Sequence, residues 1–178
     1  NYNSQGQYYP AYYSGSFSVA STGNQDLKAW YSNYGTWVEI SAPGGETDVV
    51  EARGVLSTLP GNTYGFYQGT SMACPHASGV AALILSLAPG ALSPQDVKDI
   101  LISTTDDIDG LNPGYEGLLG SGRLNAYQAL LETQTYLTPT ANFSASPTSI
   151  CTGSSTTFTN LSFGNPTSWN WSFPGGTP

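Results

Sequence analysis

The text from Ser71 to about Leu87, "SMACPHASGVAALILSL", carries no formal charge and sets Ala, Val, Leu and Ile around most of a helical circumference. That pattern predicts a helix buried on nearly every side, stopped by Pro89-Gly90. A second helix follows, capped by Ser93 with Pro94 at its first position, and runs through "PQDVKDILIST" to about Thr104. Val97, Ile100 and Leu101 fall at three- and four-residue spacing, so one face of it is buried. A last helix is expected from about Asn125 to Thr133 after "GSGRLN". Before them, "GSFSVAST" (15–22), "TWVEISA" (36–42) and "ARGVLSTL" (52–59) are β-branched or aromatic, bounded by turn residues, and read as strands. Strands followed by buried helices indicate an α/β sheet with helical layers.

The pattern changes near "TYLTPTA", where Pro139 discourages further helix. Beyond it, "ANFSAS", "STTFTN" and "SWNWSF" alternate without helical period and suggest successive antiparallel strands of a small β-sandwich. The expected organisation is a domain over 1–134, a linker over 135–140 and the first half of an all-β domain over 141–178.

Composition narrows the functions. Of 178 residues, 9% are charged, with four basic residues against twelve acids and a formal net charge of −8. Lys28, Arg53, Lys98 and Arg123 are scattered and offer no stripe for a phosphate backbone, which argues against nucleic-acid binding. The longest apolar run, "GVAALILSLA" at 79–88, falls short of the ~18 residues that span a bilayer, so no membrane span is expected. Polarity carried by Ser, Thr, Asn, Gln and Tyr is common among extracellular bacterial proteins, and secretion or cell-surface display is the expected location. Cys74 and Cys151 lie in different expected domains and are not expected to pair.

The candidate chemistry lies in "GTSMACPHASG" (69–79). A serine hydroxyl is a weak nucleophile until a base takes its proton and donors stabilise the oxyanion. At a helix N-terminus the first backbone N–H groups lack intrahelical partners and the macrodipole is positive. Ser71 there offers both a hydroxyl and an N–H, although capping a core helix is the commoner use of such residues. Pro75 is expected within the first turn, where its missing N–H costs nothing. His76 is the sole histidine. Five residues along a helix it is turned about 140° from Ser71 and raised about 7.5 Å, so the two side chains point to different sides and His76 is not expected to be the base. Cys74 is expected to be small and buried. Lys28 and Lys98, in polar and exposed surroundings, are poor candidates for a serine-lysine pair. The acids of "TTDDIDGLNPGYEG" (104–117) lack the register of a calcium loop and read as a solvated loop.

"QGTSMACPHASGVAALIL" (68–85) resembles the nucleophile signature of subtilisin-like serine proteases, the subtilases. The resemblance continues, in order, through "YYPAYY" (8–13), "AWYSNYGTWVEISAPG" (29–44), "VLSTLPGNTYGFYQGTSMA" (55–73) and "GSGRLNAYQAL" (120–130), covering about residues 1–132. It implies a three-layer subtilisin-like α/β fold, incomplete here, and a peptide-bond hydrolase acting on polypeptides through an acyl-enzyme. Ser71 would be the nucleophile, with its N–H in the oxyanion hole and Thr70 supporting that hole, and His76 would be a structural, buried imidazole hydrogen-bonded beneath the helix. Asn1, in preference to Asn3, would be the hole's side-chain donor. Gln68 and Gly69 would line the cleft, Gln68 where the family often has asparagine. Tyr8 would fall at the floor of the primary specificity pocket and shorten it. The family's Asp and His precede the serine in sequence, so both are expected upstream of this chain. No metal or cofactor is expected within this segment; structural calcium is expected elsewhere in the parent. The tail resembles the first half of a polycystic-kidney-disease (PKD) repeat, a module that binds surfaces or polymers or acts as a spacer. The other functions left open are a pseudoprotease and an adhesion protein working through that module.

Overall fold

The computed structural model describes residues 2–48, 50–137, 139–162 and 166–173. Strands β1 (Val19–Thr22) and β2 (Ile40–Pro43) pair in parallel, Val19 opposite Ile40 through Thr22 opposite Pro43. Successive side chains alternate across a strand. Val19, Ile40 and Ala42 therefore share the face that packs on the helices, and Ala20 and Ser41 the other, beside Val38, Ile108 and Leu119. The far edge of β2 is paired as well. Ser41 N donates to the Gly122 carbonyl and Leu124 N to the Ser41 carbonyl, both at 2.8 Å.

Helix α1 (Thr70–Leu87) crosses the helical face of this pair, with α2 (Pro94–Ser103) and α3 (Ala126–Thr133) packed against it. Ile40, Ile84 and Ile100 are among the largest fully buried side chains, each contributing about 1.5–3 kcal/mol by its removal from water. Ser93 caps α2 in a reciprocal box: its hydroxyl accepts from Asp96 N, and the Asp96 carboxylate accepts from Ser93 N at 2.7 Å. Asn125 caps α3 by accepting from Gln128 N at 3.0 Å.

Several expectations need correction. α1 buries one face, Ala73, Ala77, Val80 and Ile84, while Leu83, Leu85 and Leu87 are 49%, 46% and 38% exposed. Two strands and two helices can cover only one side of it. By length and composition α1 is apolar enough to cross a membrane, with mean hydropathy 1.3 over 18 residues; counting unbroken apolar runs missed this because Ser71, His76 and Ser78 interrupt the pattern. Pro75 is the sixth helical residue, in the second turn, so the Ser71 carbonyl loses its helical donor. Cys74 and His76 are exposed rather than buried, because both lie off the packed face; Cys74 and Cys151 are free thiols.

Val55–Leu59 forms β3 as expected, but pairs antiparallel with an unanticipated β4 (Thr63–Tyr67) through a turn holding Gly61 and Asn62 at φ 81° and 59°. In the tail, β5 (Phe143–Ser146) and β6 (Thr157–Asn160) pair antiparallel as the alternation suggests. "SWNWSF" forms no strand among the described residues; Phe143, Phe158, Trp171 and Phe173 cluster with ring centroids 5.1–6.2 Å apart. The final "PGGTP" lies outside the described residues.

Candidate active site

Parallel strands end together, and in open α/β sheets ligands bind beyond those carboxyl ends. Here the ends of β1 and β2 meet the start of α1. Gly44 N donates to the Thr22 carbonyl at 2.9 Å, and Gly69 N donates to the Gly44 carbonyl at 2.9 Å. The approach is close enough that a Cβ on Gly44 would strike the Ser21 side chain and lie 2.7 Å from the Gly69 carbonyl. Gly69 caps α1 with φ 144° and ψ 161°, a conformation reserved for glycine, and its carbonyl accepts from Met72 N at 2.9 Å and Ala73 N at 3.2 Å.

Ser71 is exposed in the first turn of α1. Its N–H is one of the helix's first four, directed where negative charge is favoured. His76 Nδ1 bonds the Met72 carbonyl at 2.8 Å, one turn back along its own helix, and does not address Ser71. Neither lysine is available as a base. The Lys28 ammonium donates to Asn3 Oδ1 at 2.7 Å and the Ala29 carbonyl at 3.1 Å and lies over the Tyr34 and Tyr115 rings. Contrary to the expected exposure it is half-buried, and that burial lowers its pKa, with Glu46 opposing. Lys98 pairs with Glu39.

Gln68 sits two residues before Thr70 and is fixed at both ends: Oε1 accepts from Thr47 N at 2.6 Å and Nε2 donates to Asp48 Oδ2 at 2.7 Å. The Trp30 indole donates to the same carboxylate oxygen at 3.0 Å. Tyr8 is half-buried, its hydroxyl 2.8 Å from Ser4 Oγ and its ring stacked on Tyr2. Asn1 lies outside the described residues. The segment after it is bound to the β1–β2 connection, with Asn3 N donating to the Tyr31 carbonyl at 3.2 Å and Tyr34 N to the Ser4 carbonyl at 3.1 Å.

Residues 1–122 match the model of the subtilase family of peptidases. The chain belongs to the subtilase family. Its subtilase relatives include thermitase from Thermoactinomyces vulgaris, 39% identical over 122 residues, which cover 68% of this chain and 38% of that protein. Subtilisin NAT from Bacillus subtilis subsp. natto is 38% identical over 121 residues, 68% of this chain and 28% of that protein. A protease from Pseudoalteromonas arctica superimposes with a TM-score of 0.67 at 36% identity, over 75% of this chain and 40% of that one. The chain thus spans no more than two fifths of the length of these relatives, and its fold neighbours are subtilisin-like.

Within this subtilase segment the structure brings Gln68, Gly69, Thr70 and Ser71 to one strand-end crossing. Sequence reasoning passed over Tyr31, Trp30 and Asp48, which hold that crossing. The available signal was a buried-type aromatic inside the Ser/Asn-rich turn "AWYSNYG", read there only as family text. Tyr31 is 4% exposed, and burial pushes its phenol pKa up, further raised by Glu46 and Asp48 against the lowering from Ser21 and Gly69. The acids of 104–117 are taken up locally: Asp106 pairs with Arg123 at 2.6 Å, and Asp109 accepts from Gly117 N at 3.0 Å. Among the described residues no group of three His, Cys, Asp or Glu could hold a metal ion.

Proposed function

We propose that this chain is the nucleophile-bearing part of a secreted, subtilisin-like serine endopeptidase, with Ser71 as the nucleophile. The observation that carries this reading is an exposed serine in the first turn of a helix whose start is bonded to the ends of two parallel strands. In the proposed reaction Ser71 Oγ attacks the peptide carbonyl and its proton passes to a histidine upstream in the parent protein. The amine leaves with that proton, and water then hydrolyses the ester. Ser71 N–H and the Asn1 side-chain amide bind the oxyanion, and Thr70 supports them. Gly69 leaves room for substrate backbone, and Gln68, held by Thr47 and Asp48, lines the leaving-group side. Tyr8 closes the floor of the primary pocket. Full-length enzyme should then cleave after alanine faster than after phenylalanine, and a strong phenylalanine preference would remove Tyr8 from this role.

We place the catalytic segment at 1–134, a linker at 135–140 and a PKD-like module at 141–178. The β5–β6 pair and its aromatic cluster support the last assignment, with binding to a protein or polysaccharide surface as its role. A Xanthomonas campestris relative, 39% identical, is an extracellular protease, which supports secretion. Structural calcium belongs to other parts of the parent.

The test is a fluorophosphonate label on the full-length protein, with peptide hydrolysis alongside. Wild type should label at Ser71, and Ser71→Ala should lower kcat by about 10³-fold or more. Absence of label would overturn the hydrolase reading in favour of a pseudoprotease.

A further inference from the structure

The connection between β1 and β2, residues 23–39, touches both the start of α1 and the segment that follows Asn1. At its centre, Tyr31 uses its two ends differently. Its backbone carbonyl accepts from Asn3 N at 3.2 Å. Its hydroxyl accepts from Gly69 N at 3.0 Å, donates to the Gly45 carbonyl at 2.6 Å and lies 2.8 Å from Ser21 Oγ. A phenolic oxygen has one proton and two lone pairs, so two donors and one acceptor saturate it. With Gly45 taking the proton, Ser21 Oγ–H and Gly69 N–H are the two donors. Gly69 N–H is also shared with the Gly44 carbonyl, so two acceptors on different segments fix the residue that precedes Thr70 and Ser71. At that point the backbone is a glycine at φ 144°, with no side chain to restrict it.

From this geometry we infer that Tyr31 is a positioning residue for the acylation step: its buried hydroxyl holds the start of the helix that carries Ser71, while its backbone carbonyl holds the segment after Asn1. The inference rests on the protease reading above. Its logic is that of preorganisation, in which a small displacement of a nucleophile from its attack geometry costs rate without costing binding. Ser71 lies two residues beyond the clamp, and Asn3 two residues beyond Asn1. Loosening the Tyr31 hydroxyl frees Gly69 and shifts the first turn that carries Ser71.

Tyr31→Phe keeps the ring, with its edge contact to Trp30, and removes only the hydroxyl. In the full-length protein, well below its melting temperature, kcat should fall about tenfold, as expected for loss of one positioning hydrogen bond, with KM within about twofold of wild type. Hydrogen exchange at the Gly69 amide should quicken. Ser41→Ala is the control. It removes another buried hydroxyl-to-carbonyl bond, from Ser41 Oγ to Leu119 at 2.8 Å, away from Gly69, and should lower thermal stability while leaving kcat and Gly69 exchange unchanged. A Tyr31→Phe kcat within twofold of wild type, or an equal fall in Ser41→Ala, overturns the inference alone. Wild-type protein without Ser71-dependent turnover overturns the protease reading and takes the inference with it. Should Tyr31→Phe melt too early for kinetics, Gly69 exchange in the folded variant at low temperature decides: unchanged exchange overturns the clamp.

Discussion

Gly44 has less room than its position in a loop suggests. A methyl group there would meet the Ser21 side chain and the Gly69 carbonyl, so Gly44→Ala must move either β1 or the start of α1. Overpacking of this kind costs about 1–3 kcal/mol. Chemical denaturation of the full-length protein should show that loss, with catalytic rate falling further than stability because the displaced backbone leads to Ser71. Tyr31 sets an alkaline limit. A phenol whose folded-state pKa lies above its unfolded value of about 10 holds its proton more tightly when folded. Its contribution is fully present below about pH 10 and is lost as pH rises through the folded value. Stability against pH should bend downward above about pH 10, and Tyr31→Phe should remove that component. Identical alkaline slopes for the two proteins would contradict this.

The elements divide by how local their causes are. α2 and α3 were legible almost to the residue, because Ser93, Asp96 and Asn125 terminate them through bonds made within three positions. Asn125→Ala removes the Gln128 cap and the 2.9 Å bond to Asp106, and should cost about 0.5–2 kcal/mol, measurable as a lower melting temperature. Asp96, held below the usual carboxylate range by Ser93, contributes stability above the unfolded carboxylate pKa that fades as pH falls through its depressed value. The span of α1 was legible too, but not its exposure. Periodicity reports which side chains are apolar and not how fully they are covered, and Leu83, Leu85 and Leu87 remain partly exposed. β4 was missed because Gly65 breaks its strand text and its partner, β3, lies across a turn. The reading of Ser71 came from residues adjacent in sequence, whereas Tyr31 reaches Gly69 across 38 positions, a distance no local pattern encodes.

For the whole molecule, Ile84 joins β2, α2 and α3 in one core, and Ile84→Ala should cost about 2–5 kcal/mol through lost burial and the cavity left behind. The 178-residue chain alone should show no casein hydrolysis, since its single histidine is bonded to Met72. Hydrolysis abolished by Ser71→Ala would refute that. The double-sided pairing of β2 bears on how the chain is made. One edge of β2 meets β1, about twenty residues earlier, while the other waits for Gly122–Leu124, some eighty residues later. During synthesis, at about 5–20 residues per second, helix α1 emerges and must hold its apolar face for several seconds before the sheet beneath it is completed. A product terminated before residue 122 would carry the whole "GTSMACPHASG" signature on a sheet with an open edge, so ribosome stalling in 90–120 should yield a chain bound by chaperones rather than an idle enzyme.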